Sequence, residues 1–234
     1  DLALTPGYTN NVNAGTATAA ASWEGDRNHV GSEGSTTFTI AKATTSIALT
    51  CPTSVVFTGS AVTPCTATVT GAGGLSQSLT VGYTANTAVG TATATATYAG
   101  DGNHLGSTKS ATFTIASWTL KGFYQPVDMN GVWNTVKNGS TVPLKFQAYS
   151  GSTEITTTSQ LGATFTVKGV ACPGSGAVTD SIELTTTGAT SLRYDSTGGQ
   201  FIQNWQTPKK PGACYQVTMT AADGSSLTAN FILR

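Results

Sequence analysis

The sequence predicts an all-β protein of antiparallel sandwiches, and three observations carry that prediction. Thr is the commonest residue and alternates with Ala, Val and Ile, the period-two pattern of half-buried strands. A block of 33 residues recurs 75 positions later with 20 identities. Short apolar runs are separated throughout by Gly, Asn and Asp turn signals, and no stretch reads as a helix of useful length.

Composition narrows the class further. The 234 residues include 45 Thr, 21 Ser, 29 Ala and 27 Gly, so small or hydroxylated side chains fill more than half the chain. Thr is stiff at χ1 and suits a pleated surface. Charged residues make up 9% against about 25% in an ordinary soluble domain. Eleven basic residues balance eleven acidic ones, so there is no basic face for nucleic acid. No apolar run approaches the roughly 20 residues of a membrane span. Leu, Glu and Lys are too scarce for a coiled coil. A surface kept soluble by hydroxyls reads as secreted or cell-surface. The chain opens at Asp1 inside a β pattern, with no leader visible.

The first element in chain order is one copy of the repeat. Residues 8–40 read YTNNVNAGTATAAASWEGDRNHVGSEGSTTFTI, and residues 83–115 read YTANTAVGTATATATYAGDGNHLGSTKSATFTI. In each, an alternating strand ends in an aromatic, Trp23 or Tyr98. A polar turn follows, carrying Gly25, Asp26, Asn28 and His29 in the first copy. Gly100, Asp101, Asn103 and His104 stand in the second. Gly supplies unusual backbone angles there, while Asp and Asn bond nearby amides. A second strand then closes in Thr-Phe-Thr-Ile.

The second copy alone has a preamble, with strand-like pieces at Thr45–Thr50, Pro64–Thr70 and Gln77–Gly82. One complete unit therefore spans residues 43–117, and residues 1–42 hold only the later strands of another. Half a sandwich leaves an apolar face and open edges. Three coverings are open: strands upstream of Asp1, strands donated by another subunit, or the chain's own C-terminal domain. Head-to-tail donation that does not close builds a linear assembly.

From Trp118 the alternation fades and aromatics appear. Asn130-Gly131 and Asn138-Gly139 signal tight turns, and Asp223-Gly224 a hairpin. Pro143 suggests a strand edge or start. Strands are expected at Thr164–Lys168, Leu192–Asp195, Gln200–Gln206, Tyr215–Ala221 and Leu227–Arg234. Residues 118–234 thus read as a further β-sandwich domain.

Four cysteines, Cys51, Cys65, Cys172 and Cys214, have no CxxC spacing and lie far in sequence from both His residues, which disfavours zinc. Three disulfide pairings are open, with four buried thiols as the alternative. Cys51–Cys65 and Cys172–Cys214 are favoured because each pair stays within one expected domain.

No reaction chemistry stands out. A nucleophilic triad needs a His base, and the only two His residues repeat each other as turn residues. Asp26 with Asn28 and Asp101 with Asn103 offer too few oxygens for Ca²⁺, against turn stabilisation. The eleven acids show no pairing for glycosidase work. Lys145 stands between Leu144 and Phe146 and is expected on the solvent face. Buried, it would suit an isopeptide bond assisted by Glu154 or Glu183. Tyr124, Trp133 and Trp205 offer a sugar platform if exposed, and core packing otherwise. Asn138-Gly139-Ser140 matches a glycosylation acceptor by chance. The chain is expected to be no enzyme, to need no cofactor and to bind no metal.

Two resemblances add to this. The Trp/Tyr-x-Gly-Asp-x-Asn-His-x-Gly-Ser stretch closed by Phe-Thr-Ile resembles bacterial immunoglobulin-like tandem repeats, over residues 1–116. That resemblance implies stalks and spacers. Residues 118–234 resemble the PxKF family through Pro143-Leu144-Lys145-Phe146. The likeness extends over Gly122-Phe123, Pro126-Val127-Asp128, Thr135-Val136-Lys137-x-Gly139 and Tyr194-Asp195. It continues through Trp205-x-Thr207, Gly212-x-Cys214-Tyr215, Asp223-Gly224 and Ala229-x-Phe231. This second resemblance implies a domain of secreted, mainly actinobacterial-type surface proteins with no catalytic residues to transfer.

The expected function is a non-catalytic extracellular structural protein, a subunit of a surface fibre or stalk joined by edge-strand complementation. Self-association into a linear assembly is the expected partnership. The alternative is an adhesive or glycan-binding module of a larger secreted protein, whose partner is a surface glycan or a host-cell ligand.

Overall fold

The computed structural model describes residues 2–174, 180–182 and 191–234, with backbone alone at Asp180–Ile182. Glu183 lies outside the described residues. The described chain is all-β, with one four-residue helix, α1 (Thr158–Leu161), and one 3-10 turn (Ala72–Gly74). It divides into two compact units.

In chain order the first ten strands are β1 (Gly7–Thr9), β2 (Gly15–Gly25), β3 (Val30–Ile40), β4 (Thr45–Thr50) and β5 (Ser54–Val56). Then come β6 (Thr66–Gly71), β7 (Ser76–Leu79), β8 (Val81–Thr84), β9 (Gly90–Tyr98) and β10 (Ser107–Ala116). The remaining ten begin with β11 (Thr119–Tyr124), β12 (Trp133–Val136), β13 (Thr141–Ser150), β14 (Thr153–Glu154) and β15 (Thr164–Val170). They end with β16 (Asp180–Ile182), β17 (Arg193–Asp195), β18 (Gln200–Gln206), β19 (Cys214–Thr220) and β20 (Ser226–Leu233).

The first unit takes residues 1–53, 63–84 and 92–113. Its repeat copies are β1-β2-β3 and β8-β9-β10, both antiparallel meanders. A third sheet, β4-β6-β7, lies over β9. Ile47, Ala67 and Val69 pack there against Ala96 and Tyr98, with Leu49, Leu75, Leu79 and Val81 at the margin. Strict alternation explains this: Ala92, Ala94, Ala96 and Tyr98 fall on one face and are buried. Small Ala side chains bring the two sheets close enough for β-branched partners to fill the space between them. Cys51 is bonded to Cys65 in this unit.

The second unit takes residues 54–62, 85–91 and 114–234. Here the last residues of β10, Thr114–Ala116, pair in parallel with β5. Two larger sheets, β11-β13-β18-β17 and β12-β20-β19-β15-β16, face each other. Phe146 stacks on Phe201 at 5.4 Å, and Trp205 meets Phe231 at 4.9 Å. Rings of this size supply most of the buried apolar area. Cys172 is bonded to Cys214.

Two sequence expectations need refinement. Pro143 sits inside β13, which has neighbours on both sides. Yet β11 pairs no residue before Lys145, so at Pro143 the strand is paired only with β18. A missing N–H is tolerated where no neighbour waits for it. In the turn at Asn130-Gly131 both residues have positive φ, and in that at Asn138-Gly139 the glycine does. These two turns carry the chain from β11 to β12 and from β12 to β13, strands of different sheets. Only Asp223-Gly224 closes a hairpin, between β19 and β20.

Candidate functional site

The repeated turn is built by two glycines and one carboxylate. Gly100 has φ +88°, and a Cβ there would lie 2.8 Å from the backbone of Gly106 and His104. A Cβ on Gly106 would meet the carbonyl oxygens of Tyr98 and Ala99 at 2.9 Å. Gly25 and Gly31 meet the same obstruction in the first copy. With the chain folded this tightly, Asp101 Oδ1 accepts the backbone N–H of Asn103 at 2.8 Å and of His104 at 2.7 Å. Asp26 Oδ1 accepts that of Asn28 at 2.8 Å. These bonds favour the ionised carboxyl. Asp26 is held below its ordinary value by the Asn28 amide and then by His29. Asp101 is held further below, first by the Tyr98 hydroxyl and then by His104.

The histidines differ. His104 Nδ1 donates to Asp101 at 2.9 Å, and its Nε2 donates to the Ala72 carbonyl at 2.9 Å. Both ring nitrogens donating is the arrangement of an imidazolium. The Ala72 carbonyl, and then Asp101, raise its pKa. Among the described residues the His29 ring keeps only the hydrogen bond to Asp26, at 2.8 Å. The His29 side chain is 68% exposed and that of His104 12%. Tyr98 donates its hydroxyl to Asp101 at 2.8 Å, which raises the phenol's pKa, whereas Trp23 in the first copy has no such group.

The same contrast recurs farther along the sheet, although Ala17 is as fully buried as its counterpart Ala92. Phe113 is 2% exposed and its counterpart Phe38 is 40% exposed. Tyr83 packs on Phe113 at 6.2 Å and exchanges bonds with the backbone of Cys65. Tyr8 keeps the same contact with Phe38, at 6.2 Å, but is 53% exposed. Ala94 and Ala96 are buried, while Ala19 and Ala21 are only partly so. Similar sequence, unequal burial: the difference lies in β4, β6 and β7, which pack against the second copy.

Polar contacts at Asn103 and Asp101 join the copies. Asn103 Oδ1 accepts the Ala14 N–H at 2.9 Å, and Asn103 Nδ2 donates to Asn13 Oδ1 at 2.9 Å. Lys42 donates to the Asp101 carbonyl. Asn28, at the position of Asn103, is exposed.

In the second unit the motif residues are structural. Phe146 and Trp205 are buried in the core, so Trp205 is no sugar platform. Lys145 points away from Leu144 and Phe146 and is half-buried. Tyr124 and Trp133 are half-buried too. Tyr124 donates to Gln147 Oε1 at 2.6 Å, and Gln147 Nε2 donates to Glu154 at 3.2 Å and to the Gly199 carbonyl at 2.7 Å. Lys121 Nζ lies 4.5 Å from the Tyr149 ring centre. Burial, then neighbouring Tyr149 and Glu154, raise the Tyr124 pKa. Desolvation and Glu154 raise that of Tyr194.

Two buried polar residues carry bonds that the sequence did not signal. Asp223 accepts the Trp118 N–H with one oxygen, and the Ser225 N–H and hydroxyl with the other. Asn134 accepts from the Asp128 N–H and donates to the carbonyls of Asp128 and Asn230. Only the Asp-Gly turn signal touched either. Among the described residues no group of three His, Cys, Asp or Glu side chains is placed to hold a metal ion, and no helix is long and apolar enough to cross a membrane.

No protein-family model matches the chain, and no curated protein does. Two solved structures are similar at 15% identity. Three N-terminal domains of the outer capsid protein Hoc of bacteriophage RB49 match over 94% of this chain and 78% of that one, with a TM-score of 0.30. The adhesin InvE of Yersinia pseudotuberculosis matches over 99% of this chain, with a TM-score of 0.32. The chain spans 58% of the InvE structure, and neither likeness is close enough to bear on what this protein does.

Proposed function

We propose that this chain is a non-catalytic extracellular structural protein, a subunit of a surface fibre or stalk. Its half module, residues 1–42, is completed by strands of a neighbouring subunit. The observation that carries the reading is the difference between Phe38 at 40% and Phe113 at 2% exposure on equivalent strands of one repeat. A sheet that buries Phe113 in one copy leaves Phe38 and Tyr8 largely uncovered in the other, and such exposed apolar groups favour association. The disulfides and the PxKF resemblance of residues 118–234 support a secreted, surface location.

Electron microscopy of the natively isolated protein, with its intact mass, tests this. Regular fibres from a subunit of about the present mass are the expected result. Monomers of larger mass, carrying residues before Asp1, would overturn it. A second reading, an adhesive or glycan-binding module, is favoured by the Tyr124, Gln147 and Glu154 bond chain beside Lys121 and Tyr149. Glycan-array binding that is lost in Tyr124→Ala, with fibres absent, would replace the first reading by the second.

A further inference from the structure

In the second unit, one sheet gathers phenols about a single carboxylate. Leu144, Phe146 and Ala148 are buried, so alternation along β13 turns Gln147 and Tyr149 outward. Glu154 in β14 stands opposite Tyr149, and Lys121 in β11 stands opposite Gln147. Cross-strand partners share a face. Tyr149 and Glu154, after burial, raise the pKa of Tyr124, and the same two groups act on Tyr194. Three phenol hydroxyls thus lie near one carboxylate, and Gln147 bridges from Tyr124 to Glu154.

Charge is unbalanced there. Glu154 is half-buried and accepts the neutral Gln147 Nε2–H at 3.2 Å. Asp195, half-buried too, also acts on Tyr194. Among the described residues, no Lys, Arg or His side chain comes within ion-pair distance of either carboxylate. A half-buried anion with no cation beside it favours a positively charged partner. The nearby cation, Lys121, lies elsewhere: its Nζ is 4.5 Å from the centre of the Tyr149 ring, and its side chain is exposed. That ring face is held by one flexible stem, which water can draw away.

We propose that Tyr149, Glu154 and the hydroxyls of Tyr124 and Tyr194 form a binding site for an amino sugar with a free, protonated amine. The pyranose lies on the Tyr149 ring in place of Lys121 Nζ. Its ammonium pairs with Glu154, and its hydroxyls bond to the two phenols. A neutral sugar leaves Glu154 without a counter-charge, and a bare cation leaves the hydroxyls unused. The inference rests on the glycan-binding reading and adds to it the charge of the sugar.

Calorimetric titration of the full chain with a glucosamine oligomer, its amines free, and with the N-acetylated oligomer of equal length tests this. The solution is kept at about pH 5.5, where amines are charged and ordinary carboxylates are ionised. The free-amine oligomer should bind, and the acetylated one about tenfold more weakly. Glu154→Gln should abolish that preference. Lys121→Ala, at an exposed position, should tighten binding about threefold, because it clears the ring and removes a like charge. A cluster with a purely structural role gives no such gain. Failure of the free-amine oligomer to bind, or undiminished binding by Glu154→Gln, would overturn the proposal. A lysine oligomer binding as tightly would overturn the sugar as occupant. Equal binding of both glycans, lost in Tyr124→Ala, would overturn the ammonium and leave the glycan-binding reading standing. Binding of neither glycan, in a protein that forms fibres, would remove both.

Discussion

Asp101 and His104 hold each other, and Tyr98 and the Ala72 carbonyl hold both. Two linked pH effects follow. His104 has a pKa raised above its ordinary 6.5, so its contribution to stability is fully present below that value and is lost as pH rises through the raised one. Asp101 is lowered from 3.8, so its contribution is present above that value and is lost as pH falls toward the lowered one. The second repeat is therefore firmest between about pH 4 and 6.5. Thermal unfolding followed from pH 5 to 9 should show a fall that disappears in His104→Ala and persists in His29→Ala. Persistence in both variants would remove His104 as the cause. In the other unit, Asp223→Ala leaves the Trp118 and Ser225 amides unpaired and should cost about 1–3 kcal/mol, measured by denaturant unfolding. The Asp-Gly pair announced a turn here. It did not announce that the carboxylate also reaches a residue 105 positions away, because a long-range bond leaves no local pattern.

Among the elements, the disulfides and the paired aromatics give the clearest contrasts. The separations of 14 and 42 residues give about 3 and about 4 kcal/mol from loop closure when each bond is present. Replacing Cys51 and Cys65 together by Ser should lower the unfolding midpoint, and a midpoint unchanged from the parent would contradict this account. Trp205→Ala removes a fully buried ring between Tyr215 and Phe231 and should cost about 3–5 kcal/mol. Trp23→Ala, on the uncovered sheet, should cost under about 1 kcal/mol. Equal losses for the two would mean that the first sheet is covered in solution. A strand such as Thr45–Thr50 was legible residue by residue, because its alternation matches a sheet with one buried face, whereas in Gln200–Gln206 the successive residues Phe201, Ile202 and Gln203 are all buried. Asn130-Gly131 and Asn138-Gly139 were legible as turns and illegible as sheet crossings. Turn chemistry fixes local angles and leaves open which sheet the next strand joins.

For the whole molecule, low charge sets the terms of association. With eleven charges of each sign, attachment through the first repeat should come from apolar burial and strand pairing. Sulfate should strengthen assembly, while sodium chloride should leave it nearly unchanged at the modest concentrations that screen surface charges. Sedimentation across both salts measures this, and dissociation in sodium chloride would point to an electrostatic joint instead. The sequence by itself determined the strand periodicity, the 75-residue repeat and the cysteine pairing that keeps each bond within one unit. Those are properties of spacing and composition. Only the tertiary structure decided that His104 is clasped while His29 is not, that Trp205 is core, and that Pro143 sits in an interior strand at a place paired on one side. Each of those depends on which distant segment lies against the residue, and two similar stretches of sequence differ in burial because one is covered by β4, β6 and β7 and the other is not.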